Sequence, residues 1–264
     1  MIAEILCVGT EILLGDIVNT NAQFLSKELA RLGISVHYQT VVGDNADRIK
    51  SALNIGFSRA DMIIMTGGLG PTKDDLTKEM LAEYFNRKLV LDQKAYDMLE
   101  KKIFNFGMKT ISDSNRKQAL VPENAIILYN DHGTAPGYIL ENDGKTAILF
   151  PGPPKEMEPM FKNACELYLN KLAKATIVSM NIKMKGRGED SAENTGESSI
   201  ADKITNLLDY TNPTVATYAK DDGVLIRVTA SAESREDALA LIKPVIDEIK
   251  GILGNTIAHI DEAE

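Results

Sequence analysis

The sequence predicts a three-layer α/β/α fold with a mostly parallel sheet, followed by a second, smaller α+β domain. Three observations predict it. Short apolar runs alternate with amphipathic stretches up to about residue 170, as in a βαβ succession. Met62-Ile63-Ile64-Met65 is apolar at every position and ends in Thr66-Gly67-Gly68, as expected of a central parallel strand covered on both faces. A fresh αβ pattern begins near Ala175.

Taken in order, Ile2–Val8 reads as a buried first strand followed by a polar loop, Gly9–Asn21. Ala22, Leu25, Leu29 and Leu32 recur at helical spacing, and Gly33 is a helix stop. Ser35–Val42 is a strand, and Asp44–Ser58 a helix with Ile49, Leu53 and Phe57 on one face. Helical patterns continue through Leu76–Phe85 and Gln93–Phe106. Gly137–Glu141 and Thr146–Phe150 form a hairpin around Asn142-Asp143-Gly144-Lys145, since Asp-Gly suits a tight turn. Lys155–Ala173 is again helical. In the second domain Thr176–Met184, Thr214–Tyr218 and Val224–Ala230 are strands, and Gly196–Tyr210 and Ala238–Ile252 are helices. Lys185–Thr195, carrying Gly186-Arg187-Gly188, is a polar loop. The predicted domains are residues 1–172 and 173–258, with 259–264 a frayed tail.

Composition narrows the function. At 264 residues with 44% hydrophobic and 25% charged residues, the chain is long enough for one larger and one smaller globular domain. No apolar run approaches the ~20 residues of a membrane span. The N-terminal run lacks a basic start and a cleavage site, so a cytoplasmic setting is expected, with no membrane partner. Cys7 and Cys165 have no metal-ligand spacing around them and read as buried hydrophobes. The net charge of −9 argues against a nucleic-acid partner, which needs a basic patch, but not against small phosphorylated ligands.

The chemistry concentrates in Thr66–Thr77, TGGLGPTKDDLT, between a buried strand and a helix. Doubly wound sheets bind ligands at that position. Gly67, Gly68 and Gly70 let backbone amides approach a phosphate, and a helix N-terminus favours negative charge. The spacing matches neither the P-loop nor the GxGxxG pattern. Asp74 and Asp75 would repel an anion unless a cation sits between, so a divalent metal is the physical expectation. Alternatively Thr72 caps the helix and Asp75 closes a capping box, which leaves the glycines and Pro71 unexplained. A second loop places Glu11, Asp16, Asn19 and Asn21 at the same sheet edge, where Asn19 is equally a helix cap. His132-Gly133-Thr134-Ala135-Pro136-Gly137 precedes a strand, and Pro151-Gly152-Pro153-Pro154-Lys155-Glu156-Met157 opens a helix after one. The prolines alone explain the second of these turns. His132, without a partner, reads as structural.

These stretches, with Val41–Asn45 (VVGDN), together resemble the N-terminal part of the competence/damage-inducible CinA proteins. That part is similar to the molybdopterin-binding domain of the MoaB, MogA and MoeA proteins. GESSIADKI at Gly196–Ile204 and PTVATYAKDDGVLIRVTA at Pro213–Ala230 resemble the KH-type domain that follows. The resemblance covers nearly the whole chain. Many CinA proteins continue into a nicotinamide-nucleotide amidase domain, and this sequence stops about where that domain would begin, so the amidase function is not carried over. Lys185–Thr195 looks longer than the family's usual connection.

The resemblance implies an ADP-ribose pyrophosphatase, releasing AMP and ribose 5-phosphate with a divalent ion (Mg²⁺, Mn²⁺ or Co²⁺), with a monovalent cation as a further candidate. Asp74 and Asp75 are then metal and catalytic residues, and Glu11 is the general base or a further metal contact. Gly67, Gly68 and Gly70 would offer amides to the diphosphate, Asp44 and Asn21 would hold the ribose or base edges, and Thr66, Pro71, Thr72, Thr77 and Asn19 would be further substrate contacts. Gly133, Pro151, Gly152, Pro153, Pro154, Glu156 and Met157 would line the far side. The resemblance also implies a homodimer, in which Tyr218 and Lys220 of the small domain are candidates for reaching a partner's site. The alternatives are pterin binding or nucleotidyl transfer at the same loop, and a non-catalytic nucleotide-binding or assembly module. RNA binding by the KH-like region lacks a clear Gly-x-x-Gly clamp.

Overall fold

The computed structural model describes all residues except 106, 109, 173–175, 186–195 and 264. The Gly186-Arg187-Gly188 loop and the expected ends of two helices at Phe106 and Ala173 lie outside the described residues. The chain divides into two compact units, residues 1–30 with 34–172, and residues 31–33 with 173–264.

In the first unit the elements run β1 (Ile2–Val8), α1 (Thr10–Leu14), α2 (Thr20–Arg31), β2 (Ser35–Val42), α3 (Ala46–Arg59), β3 (Met62–Thr66) and α4 (Thr77–Tyr84). They continue as β4 (Leu89–Leu91), α5 (Gln93–Asn105), α6 (Asp113–Arg116), β5 (Leu120–Pro122), β6 (Ile126–Leu128), β7 (Gly137–Asn142), β8 (Lys145–Phe150), α7 (Pro154–Met160) and α8 (Glu166–Leu172). The main sheet has the order β2-β1-β3-β8-β7-β6. Its first four strands are parallel, and β7 and β6 add on antiparallel. This is the mixed α/β sheet that the alternation of apolar and amphipathic stretches predicts.

β3 is buried at all five positions, as its unbroken apolar run requires. Ile63 and Met65 share a core cluster with Leu53 and Phe57 of α3 and Leu81 of α4. The hairpin turn has Asp143 at φ 48° and Gly144 at φ 76°, the left-handed pair that a two-residue hairpin needs. Gly33, at φ 74°, ends the α2 region as expected. The central strand β1 also carries a carboxylate. Glu4 is 2% exposed and accepts from Arg59 Nε and NH2 at 2.8 Å each and from Thr40 Oγ1 at 2.6 Å. Three charge-assisted bonds are what permit a charge at that depth.

The sequence reading missed the short pieces. Gly9–Asn21 is not all loop, because α1 occupies five of its residues. Strands β4, β5 and β6 are three residues each, below the length at which alternation can be seen.

The second unit contains β9 (Thr176–Met184), α9 (Glu197–Lys203), α10 (Thr205–Leu208), β10 (Thr214–Lys220), β11 (Gly223–Ala232), α11 (Arg235–Leu253) and β12 (Ile257–Glu262). Its antiparallel sheet has the order β10-β11-β9-β12. Ile182, Ile226 and Val228 pack with Ile200, Leu207, Ile242 and Ile249 of the helices. The frayed tail expected over 259–264 is corrected here. Ile257–Glu262 pairs along β9, and Arg235 of α11 forms an ion pair with Glu262. The backbone pairing supplies what a polar, acidic sequence does not advertise. Among the described residues, no helix is long and apolar enough to cross a membrane.

Candidate functional site

A cleft of about 750 Å³ opens where β1, β2, β3 and β8 end, a volume suited to a small-molecule ligand. Four strand-to-helix loops and the Thr134–Ala135 segment meet there. The predicted residues Glu11, Asn19, Asn21, Asp44, Thr66, Gly67, Gly68, Gly70, Pro71, Asp74, Asp75, Pro151, Gly152, Pro153, Pro154 and Glu156 all line it.

Many of these residues shape the cleft and have little capacity left for a ligand. Thr66 is 2% exposed, and its hydroxyl donates to the Pro151 carbonyl and accepts from Asn21 Nδ2, both at 2.9 Å. Asn21 also donates to the Gly152 carbonyl at 2.7 Å. Its side-chain hydrogens are therefore spent on tying three loops together, and only the buried Oδ1 has no partner. Asn21 was expected to hold a ribose or base edge; it lines the cleft, and the Oδ1 acceptor is what it has left to offer there. Asn19 accepts from the Ala22 amide at 3.1 Å, so the capping reading holds for it. Asp44 Oδ2 accepts from both the amide and the hydroxyl of Thr10 at 2.9 Å, fixing the start of α1 beside the cleft.

The glycine turn is demanded by space. Gly67 has φ 101°, and a β-carbon there would lie 2.0 Å from the Val8 carbonyl oxygen. Its amide donates to the Phe150 carbonyl at 3.1 Å, so it is not a free phosphate donor. Gly68 has φ 66° and packs directly on the Thr77 side chain. Thr77 is fully buried beneath it and does not line the cleft, contrary to expectation.

The helix-start reading of the aspartates is also corrected. α4 begins at Thr77, its N-cap residue Leu76 makes no side-chain cap, and Asp74 and Asp75 lie in the preceding turn. Thr72 donates from its amide to Asp75 Oδ2 at 2.9 Å, and from its hydroxyl to the same oxygen. The pair closes its own turn, and Thr72 stays outside the cleft lining. The Asp75 carboxylate folds beneath Gly70, where a β-carbon would lie 2.5 Å from it. Hydrogen bonding from Thr72 and from its own backbone, with the Lys117 charge adding, holds the Asp74 carboxyl below the usual range.

On the far side, Glu156 accepts from Asn130 Nδ2 at 2.7 Å, and Gly133 packs against its carboxylate. Gly133 itself is not in the lining, and Met157 is fully buried in the core. Both were expected to touch ligand. His132 is exposed and is not in the cleft lining. Glu11 is exposed and reaches back over Gly9, whose β-carbon would lie 2.8 Å from Oε1. Tyr218 lies on β10 of the second unit, 40% exposed, with the Arg227 guanidinium 5.6 Å from its ring centre.

Asn130 and Gln118 are among the residues that sequence reasoning missed. Asn130 accepts from the amides of His132 and Gly133 and donates to the Ala135 carbonyl, building the 130–135 loop. An Asn ahead of a glycine turn was the available signal. Gln118 is 4% exposed, lines the cleft and donates to the Leu69 carbonyl at 3.2 Å. It sits in a single 3₁₀ turn with no periodicity to read.

A family profile described as a probable molybdopterin binding domain matches residues 4–171. The chain belongs to that family. A second profile, described as the damage-inducible protein CinA KH domain, matches residues 191–257. Competence-damage inducible proteins of Clostridium botulinum (strain Kyoto / Type A2) and Clostridium acetobutylicum are similar to this chain. The first is 52% identical over 258 residues, covering 97% of this chain and 61% of the relative. The second is 51% identical over 263 residues, covering 99% and 62%. The chain thus spans about three fifths of the length of these relatives. The crystal structure of CinA from Thermoplasma acidophilum is similar with a TM-score of 0.59 and 38% identity, over 64% of this chain and 97% of that one. The molybdopterin-binding-like fold and the CinA relationship both follow from these matches.

Proposed function

We propose that the first unit hydrolyses the diphosphate of ADP-ribose to AMP and ribose 5-phosphate with a divalent cation such as Mg²⁺, Mn²⁺ or Co²⁺. The observation that carries this reading is the sign of the charge in the cleft. Glu11, Asp44, Asp74, Asp75 and Glu156 line it, and among the described residues no Lys, Arg or His does. A diphosphate enters such a site only with a cation to offset its charge.

The residues present fit a cation shared with the ligand. Asp74 and Asp75 are adjacent and face the cleft, while no group of three or more His, Cys, Asp or Glu side chains converges among the described residues. Phosphate oxygens and water would complete the coordination, as is common for Mg²⁺. The cation, when bound, supplies charge neutralisation and polarises phosphorus.

The chain's own residues do the rest. The Gly68–Gly70 turn presents backbone amides to phosphate oxygens. Glu11 takes a proton from the attacking water as its oxygen bonds to phosphorus and the bridging P–O bond breaks. The phosphate oxygen released from that bond leaves with one product, and the water oxygen stays with the other. Ile17 and Val18 on one rim, and Pro153 and Pro154 on another, give the sugar and base apolar walls.

The test is AMP release from ADP-ribose by the purified chain with each ion, with and without K⁺. Turnover that vanishes in an Asp74→Asn/Asp75→Asn double variant supports the proposal. Turnover no higher than that variant's, with every ion, overturns it. The family profile's description favours a second reading, a molybdopterin phosphate held by the same loop. Pterin fluorescence retained on the purified chain, with no ADP-ribose turnover, would favour it instead.

A further inference from the structure

The turn that carries Asp74 and Asp75 has no helix cap to hold it, yet both of its ends are fastened by side chains from the 117–119 turn. Gln118 Nε2 donates to the Leu69 carbonyl at one end. Lys117 Nζ donates to the Asp75 carbonyl at the other end at 2.6 Å, and lies 3.4 Å from Glu79 Oε1 on α4. Lys78, 4% exposed, donates in turn to the Lys117 carbonyl at 2.6 Å.

The turn holding Lys117 and Gln118 is itself rigidly based. Ala119 is buried and its carbonyl accepts from the Asp92 amide at 3.0 Å, and the strand that follows pairs with β4. The two ties therefore run from a fixed platform to the two ends of the Leu69–Asp75 segment. Everything that segment offers to the cleft, the amides near Gly70 and the two carboxylates, hangs between them.

We propose that Lys117 and Gln118 are positioning residues that set the geometry of the Leu69–Asp75 turn for catalysis, a role that rests on the hydrolase reading above. Lys117 adds a second effect by its place. It stands behind Asp75, outside the cleft lining, so it offsets the charge of the acidic pair without occupying the space a cation and diphosphate need. Arginine can make the same two contacts, and methionine can fill the volume but make neither.

The experiment compares Lys117→Met, Lys117→Arg and Gln118→Met in the full chain. Hydrogen exchange of residues 69–75 is read alongside melting temperature and the kinetics of ADP-ribose hydrolysis with Mn²⁺. For Lys117→Met we expect exchange across 69–75 to quicken about 10-fold or more while melting falls by only a few degrees. We expect kcat to fall about 10- to 100-fold with KM within about 3-fold, and Lys117→Arg to recover most of kcat. Gln118→Met loosens the Leu69 end alone, and keeps the test open should Lys117→Met fail to fold. Unchanged exchange over 69–75 in the variants overturns the proposal. So does a loss of kcat that tracks melting temperature and is not rescued by arginine. A wild type that releases no AMP overturns the hydrolase reading and the kinetic role with it, whereas the exchange data decide the bracing by themselves.

Discussion

Gly67 stands against the Val8 carbonyl oxygen so closely that a β-carbon would come within 2.0 Å of it. The contact joins the ends of β1 and β3 at the floor of the cleft. Backbone cannot retreat as a flexible side chain can, and φ 101° is already costly for any L-residue. Gly67→Ala should destabilise the first unit by about 3 kcal/mol or more in urea denaturation. Gly144→Ala is the control. Its φ is 76° with nothing within 4 Å, so strain alone acts and about 1 kcal/mol is expected.

The buried Glu4 gives an acid-side prediction. Burial opposes its charge, but hydrogen bonds from Arg59 and Thr40 and the Arg59 charge outweigh that, so the carboxyl lies below its ordinary value of 4.5. A depressed folded pKa contributes stability that is present above the unfolded value and is lost as pH falls through the folded one. Arg59→Met leaves the buried carboxylate with Thr40 but without its counter-charge and should destabilise the first unit at pH 7. Denaturation curves should show the gap between wild type and variant narrowing as pH falls through 4.5 and below.

Lys78 acts on the alkaline side with the opposite sense. Desolvation is the main cause of its lowering from 10.5 to about 8. Between those values the unfolded chain holds a proton that the folded chain has released, so stability rises with pH across that window. The full effect is of order 3 kcal/mol by linkage. Lys78→Met should lose this rise, seen as a flatter stability curve for the variant from pH 8 to 10.5.

Ligand and cation should stabilise the protein only together. With no enclosing set of metal ligands among the described residues, chelation alone should leave the melting temperature within about 1 °C. Mg²⁺ with ADP should raise it by several degrees, and either alone by much less.

What was legible in the sequence followed from burial and backbone demands. The all-apolar Met62–Met65, the helical spacing of Ala22, Leu25 and Leu29, and the Asp143-Gly144 turn each state a local necessity, and each element formed as read. The glycine loop's position was equally readable. The roles within it were not, because they depend on partners far along the chain. Thr66 and Asn21 look like ligand contacts until Pro151 and Gly152 arrive beside them. Thr77 looks exposed until Gly68 folds over it. Lys117 and Gln118 carry no pattern, since a three-residue turn has no period. The strand that replaces the expected loose tail is paired through its backbone, where side-chain identity counts least.

The Asn21–Gly152 bond joins positions 131 residues apart, and β3 pairs with β8 across the stretch from Met62 to Thr146. Parallel pairing of that range closes long loops before it is rewarded, so it is slow to form. Completion of the cleft therefore waits on a long-range pairing. A nascent or clipped chain that stops short of Pro151 would hold the glycine turn and both aspartates yet have no pocket. Ligand capture would then mark the moment at which the first unit has finished folding.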